Sequence, residues 1–321
     1  MLSNFTSIGI DVSSKKLDIC FFGEESKFFV FSNDKMGFDK LTKQIGDMKS
    51  LPVIIESTAQ YHIPVCLWLN ENGYNVKLIN PLLASKLFKS SLRKTKTDKI
   101  DSQRLAELKD CEYLYNYTDT RNDVLAKRIL HTITKLEKSK QAIERSEKNF
   151  KLIAKLSDIE IPSELETVSE IIKNIDKKIA ELKKLIIKIK QKSKLVNKLS
   201  EYRGVGAESA AEIAVILEGK EFKKKSSIVA FAGLDVSIKQ SGNYKGKGKL
   251  TKRGNSKLRK TLFQVAWGLK QHNEVFREEY QRLRELGKTY KEALNILARK
   301  FLHKIYGIMK SINSENLSFS V

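Results

Sequence analysis

Four acidic residues are spaced so that they could grip a divalent cation: Asp11 in IGIDVSSKKLDIC, Glu56 in PVIIESTAQYH, and Asp98 with Asp101 in KTKTDKIDSQRLAEL. Asp11 and Glu56 each close an apolar run that reads as a β-strand, and the strand ends of an open α/β sheet face its reactive crevice. Asp98 and Asp101 are three apart, so a helix carries both on one face. Carboxylates brought together from two strands and a helix repel one another unless a cation lies among them. Hard oxygens are the ligands that Mg²⁺ takes, with Mn²⁺ as a substitute, and phosphodiester chemistry is what bound Mg²⁺ does well. Taken singly, Asp98 reads as a helix cap and Asp101 as a first-turn acid favoured by the helix dipole. Taken together in a basic chain, the four read as a metal site.

A second set of candidates is basic or glycine-rich. Residues 241–260, SGNYKGKGKLTKRGNSKLRK, hold eight Lys and Arg and no acid. Their glycines would let the backbone approach a phosphate chain closely. Lys245, Lys247, Lys249, Lys252, Arg253, Lys257 and Arg259 are therefore candidate nucleic-acid contacts, as are Arg93, Lys94 and Lys96 in LRKTKT. Such runs are often only solvated loops. In YRGVGAESAAEIAVIL, Gly204 and Gly206 bound a turn between two short helices, as in a helix-hairpin-helix, where backbone N–H groups can meet a phosphate. A plain helix–helix turn explains the glycines equally well, and the basic neighbours tip the reading towards DNA. Ser241, followed by Gly242, is a candidate nucleophile, although nothing local supplies it with a base. His62, His131, His272 and His303 show no HExxH or close pairing, and there is no Walker loop for ATP.

The bulk numbers agree with a polyanion partner. Sixty Lys and Arg against thirty-eight Asp and Glu leave a formal net charge of +22, which points to nucleic acid. Cys20, Cys66 and Cys111 are odd in number and far apart, as expected of free thiols in a reducing cytosol. No signal peptide and no apolar run of about 18 residues is present, so a cytoplasmic, nucleoid-associated protein without a membrane span is expected.

These candidates need elements to hold them. The first ~112 residues alternate between strand and helix patterns. A three-strand meander is expected over 5–12, 17–22 and 27–31, then a helix over 36–48, a strand over 53–56, a helix over 64–72 and a strand over 76–79. Helices should then start at Pro81 and Asp98. From Val124 to Lys198 two long charged helices are expected, with Pro162 and a capping box Ser163-x-x-Glu166 between them. Val168, Ile175, Leu182, Ile189 and Val196 recur every seven residues, a coiled-coil-like pattern that suits a hairpin or a dimerisation stalk. That stripe is matched better by a second copy of the same helix than by the 129–150 segment, which carries Lys140 and Glu147 in its second apolar row. The remainder reads as a separate helical unit.

The series GIDVSSKKLD, IIESTAQY, INPLLASKL, KTDKIDSQRLAEL, YRGVGAESAAEI, FAGLDVSIKQSG and LTKRGNSKLRKTL, in this order, resembles the DEDD transposases of bacterial insertion sequences. These are bridge-RNA-guided recombinases related to the pilin-gene DNA invertases. One departure stands out: Ala59 and Gln60 precede Tyr61 where the family usually has Gly before the aromatic. The resemblance implies a RuvC-like ribonuclease H fold over 1–112, a coiled-coil stalk over 122–198 and a mainly helical transposase domain over 199–315. It implies that Asp11, Glu56, Asp98 and Asp101 hold metal, and that Ser241 attacks the scissile phosphate and becomes joined to DNA. Double-stranded donor and target DNA, a bridge RNA and a homodimer assembling to a tetramer are the implied partners. A RuvC-type junction nuclease, which needs no Ser241, and an inactive nucleic-acid-binding scaffold are the competing readings.

Overall fold

The computed structural model describes residues 5–89, 97–161, 168–237, 240–241, 244–245 and 248–318. Arg93, Lys94, Lys96, Lys247 and the expected capping box over 163–166 lie outside them. Two compact units divide the chain, Met1–Arg121 and Asn122–Val321.

Period-two patterning builds the first unit around one sheet. β1 (Phe5–Val12), β2 (Lys16–Gly23) and β3 (Lys27–Ser32) form an antiparallel meander. The chain then passes through α1 (Lys35–Ile45), β4 (Pro52–Glu56), α2 (His62–Glu71), β5 (Asn75–Ile79), α3 (Pro81–Lys89), α4 (Asp98–Glu107) and β6 (Tyr115–Asn116). Strand order is β3-β2-β1-β4-β5-β6, with β1, β4 and β5 mutually parallel and β6 antiparallel to β5. Alternation sends Ile8, Ile10, Val53 and Ile55 into one core with Phe38 and Leu41 of α1 and Val65 and Leu69 of α2. Ile54 and Ile79 point into a second core with Ala84 of α3 and Leu105 of α4. Every strand of this unit is legible in the sequence except β6, whose two exposed residues are too few to show a period.

The second unit is mainly helical. It comprises α5 (Arg121–Leu156, opening on the last residue of the first unit), α6 (Val168–Lys190), α7 (Lys194–Ser200), α8 (Ala207–Leu217) and α9 (Lys225–Ala232). Two short ladders follow, β7 (Val236–Ser237) with β10 (Lys249–Leu250), and β8 (Gln240–Ser241) with β9 (Tyr244–Lys245). α10 (Ser256–His272), α11 (Glu274–Glu285) and α12 (Tyr290–Ser318) complete it. One core joins Ile213 and Leu217 of α8, Leu262 and Leu269 of α10, and Leu297 and Phe301 of α12. Among the described residues no helix is long and apolar enough to cross a membrane.

Two expectations for the long helices change. The second helix does not reach Val196: it stops at Lys190, and Ser193 caps α7 by accepting from the Val196 N–H at 3.0 Å. Glu218 holds this break, receiving Lys190 Nζ at 2.6 Å and the Ser193 hydroxyl. The apolar stripe is also covered from inside the chain, which removes the argument that it needs a second copy. Ile179 and Ile186 are buried, and Ile175, Leu182 and Ile189 pack against the same core as Ile129 and Ile133 of α5. Lys140, read as a misfit in its row, instead pairs with Asp176 of α6 at 2.5 Å.

Candidate active site

Strand parity decides which side chains share a face. Ser7, Gly9 and Asp11 alternate onto the side of β1 that α4 covers. Ser7 donates its hydroxyl to the Ala106 carbonyl at 2.7 Å. Gly9 is required there, because a Cβ would lie 2.0 Å from the Ser102 carbonyl oxygen and 2.5 Å from the Ala106 nitrogen. This close approach brings the first turn of α4 over the end of β1. Thr97, rather than Asp98, is the N-cap, accepting from the Ile100 N–H at 3.3 Å, so Asp98 and Asp101 both lie within the first turn. Glu56 ends β4, one step beyond the Ile10–Ile55 pairing, and so neighbours Asp11 across parallel strands.

The four expected acids therefore meet, and Asp11 registers it. Its carboxyl is pushed up to about 6, first by burial and then by the charges of Asp101, Asp98, Glu56 and Asp18. Two participants were missed in the sequence. Asp18 faces Asp11 across the β1–β2 ladder and is buried. Lys16, on the same face, reaches Asp98 at 2.7 Å and Asp18 at 3.1 Å. Their signal was the K-x-D alternation in SSKKLD, but only the strand register sets it opposite Asp11.

Four carboxylates are the kind of donor that a hard divalent cation takes. Among the described residues no three of them point at one common ligating position as they stand. Asp98 is turned to Lys16 at 2.7 Å, Asp101 lies 3.7 Å from Arg104, and Glu56 accepts the Thr58 hydroxyl at 2.5 Å. These partners are basic groups and a hydroxyl, the groups that compensate carboxylate charge when it is gathered in one place. Just beyond Thr58, Ala59 has φ +47°, the left-handed conformation that glycine adopts freely. The departure from the family pattern thus falls on a residue that is strained in the turn holding Glu56.

In the helical unit, Ser241 lies in β8 with Tyr244 as its ladder partner. Lys245 belongs to β9 and Lys249 to β10. Lys252 and Arg253 are exposed, Lys252 at φ +53°. Lys257 is engaged by Glu212 at 2.9 Å and Glu137 at 3.3 Å with its side chain only 10% exposed. Arg259 donates to the Ala232 carbonyl at 2.9 Å, closing the end of α9. Gly204, at φ +100°, meets Gly268 of α10 backbone to backbone, and a Cβ on it would sit 2.5 Å from the Gly268 oxygen. Gly206 caps α8 and has open space around it. The two glycines thus do different work, one in packing and one at an accessible helix start.

An acid cluster on an α/β sheet, followed in the chain by a basic helical unit, marks the class as an enzyme that processes nucleic acid. Comparison with known proteins supplies the family. A family model described as "Transposase", of the IS110 DEDD type, matches residues 8–156, and one described as "Transposase IS116/IS110/IS902 family" matches residues 196–281. The chain belongs to the IS110-type transposases and is a DNA transposase/recombinase. It is similar to the pilin gene-inverting proteins of Moraxella lacunata and Moraxella bovis, each 24% identical over 318 residues, covering 95% of this chain and 96% of the relative. A 113-residue stretch is 28% identical to an uncharacterized 43.6 kDa protein of insertion element IS110 from Streptomyces coelicolor, covering 35% of this chain and 28% of that one.

Proposed function

We propose that this enzyme cuts and rejoins DNA strands of an insertion sequence with metal held by Asp11, Glu56, Asp98 and Asp101 and with Ser241 as the nucleophile, guided by a bridge RNA. The observation that carries the reading is Asp11 at the end of β1, whose pKa is raised to about 6 first by burial and then by the charges of Asp101, Asp98 and Glu56. A divalent metal, Mg²⁺ or Mn²⁺, would be held by these four carboxylates and would supply Lewis-acid polarisation of a phosphate. The strand order β3-β2-β1-β4-β5, with acids at the ends of β1 and β4, supports a RuvC-like ribonuclease H fold for residues 1–112.

In this reading Ser241 Oγ gives up its proton and bonds to the scissile phosphorus, the bond to the leaving sugar oxygen breaks, and that oxygen takes up a proton in exchange. The serine phosphodiester conserves the bond energy, so rejoining needs no ATP. Residues 199–315 would carry this serine, and the two long helices within 122–198 would form a coiled-coil stalk that ends at Lys190. Gly206, Lys252 and Arg253, with Lys245, Lys247, Lys249 and the 93–96 stretch, would meet nucleic-acid phosphates. Lys257, Arg259 and Gly204 would support those contacts through the protein interactions they already make. The dimer that builds a tetramer would use the far end of the long helices, where Leu152, Ile153, Leu156, Ile159 and Ile171 are exposed.

A recombination assay with donor DNA, target DNA, Mg²⁺ and the element's own flanking RNA tests the whole. The Asp11→Asn and Ser241→Ala variants are expected to bind nucleic acid and give no recombinant. Recombination by Asp11→Asn would contradict the metal site. Cleavage by Ser241→Ala would favour the junction nuclease.

A further inference from the structure

We propose that a cavity of the helical unit, flanked by Lys225, Arg299 and His303, seats one phosphate of a bound nucleic-acid strand beside the ladder that leads to Ser241. It has a volume of about 670 Å³ and lies between α9, α12 and β7, within the range of ordinary ligand sites. Val229, Val236 and Ile296 give it an apolar wall. Val236 is 46% exposed although it pairs with Leu250 of β10, so the wall is open at the root of this ladder.

The charges around the cavity leave cations over. Asp235, its one acid, accepts the Thr251 hydroxyl at 2.5 Å, and Lys300 is paired with Glu279 at 2.7 Å. Among the described residues Lys225 and Arg299 have no ion-pair partner. Both face His303, whose imidazole is held below its ordinary pKa, first by burial and then by the charges of Lys225 and Arg299. Two cations without an ion-pair partner, set against the single carboxylate of Asp235, leave the cavity net positive and favour an anion. In a chain that handles nucleic acid, a backbone phosphate is the anion at hand, and the apolar wall suits the adjoining sugar. β7 ends four residues before Ser241 in the chain, which ties the cavity to the ladder segment that carries the nucleophile. This rests on the reading that the chain binds nucleic acid and acts through Ser241.

The test uses the full chain, with a short duplex DNA and a single-stranded RNA of unrelated sequence as probes. In a Lys225→Gln/Arg299→Gln variant, the log–log salt slope of binding should fall by about 0.9 if the phosphate is on duplex DNA, or about 0.7 if it is on a single strand. The probe that shows the change identifies the source. Arg299→Lys should restore most of the slope, which separates charge from folding. The His303 ring signal followed by NMR should titrate at higher pH once nucleic acid is bound. An unchanged slope on both probes, or a His303 pKa unmoved at saturation, overturns the proposal. If the wild-type chain still forms its Ser241 adduct in that case, the recombinase reading stands. If the wild-type chain binds neither probe, that reading fails as well.

Discussion

At Asp11, burial and four neighbouring carboxylates all oppose ionisation, so at neutral pH the metal-free protein carries a charge its surroundings resist. Asp11→Asn removes that opposition and should raise the thermal stability of metal-free protein at neutral pH, by on the order of 1–2 kcal/mol. The same change should abolish recombination, and calorimetry beside an activity assay would show both. A loss of stability would mean that Asp11 holds the fold rather than a metal. Ala59 makes a second case. Relieving its φ of +47° by Ala59→Gly should stabilise the first unit by about 0.5–1 kcal/mol, after allowing for the greater freedom of glycine when unfolded. Chemical denaturation would measure it. Asp11 and Glu56 were legible because carboxylates that close apolar strands are unusual in a basic chain, and Asp98 with Asp101 because a three-residue spacing puts both on one helix face. Lys16 and Asp18 were not, because ordinary strand alternation looks the same until register sets them opposite Asp11.

Between elements, glycine positions set the geometry. A Cβ on Gly9 would collide with α4 backbone at 2.0 Å, and backbone cannot turn aside as a side chain can. Gly9→Ala should cost roughly 2 kcal/mol or more and part the first turn of α4 from β1. Divalent-metal affinity should fall with it, as titration calorimetry can check. In the helical unit, Glu279 receives Arg282 at 2.8 Å and Lys300 at 2.7 Å, which hold its carboxyl down at about 2. A depressed pKa adds stability above the ordinary 4.5, and this is lost as pH falls through 4.5 towards 2. Glu279→Gln should flatten that part of the acid limb in a pH series of thermal melts. Period two and period seven made most elements legible in the sequence. The break after Lys190 was not, because the Ser193 turn is held by Glu218, twenty-five residues away.

For the whole molecule, the net charge of +22 predicts binding that weakens steeply with salt. Neutralising Lys252 and Arg253, both exposed, should reduce the salt slope by about 0.9 for each phosphate of duplex DNA that they neutralise. Composition made the polyanion partner legible; it could not show that Lys257 and Arg259 are taken up by Glu212, Glu137 and the Ala232 carbonyl. The central proposal is that four carboxylates hold the metal and that Ser241 is the nucleophile of the same strand transfer. Peptide mapping of the protein–DNA adduct, formed with donor DNA and the element's RNA in Mg²⁺ and again in a chelator, tests it most directly. The adduct should map to Ser241, require the metal, and be missing from Asp11→Asn. A DNA link on another residue, or a Ser241 adduct formed equally well in chelator, would contradict the account.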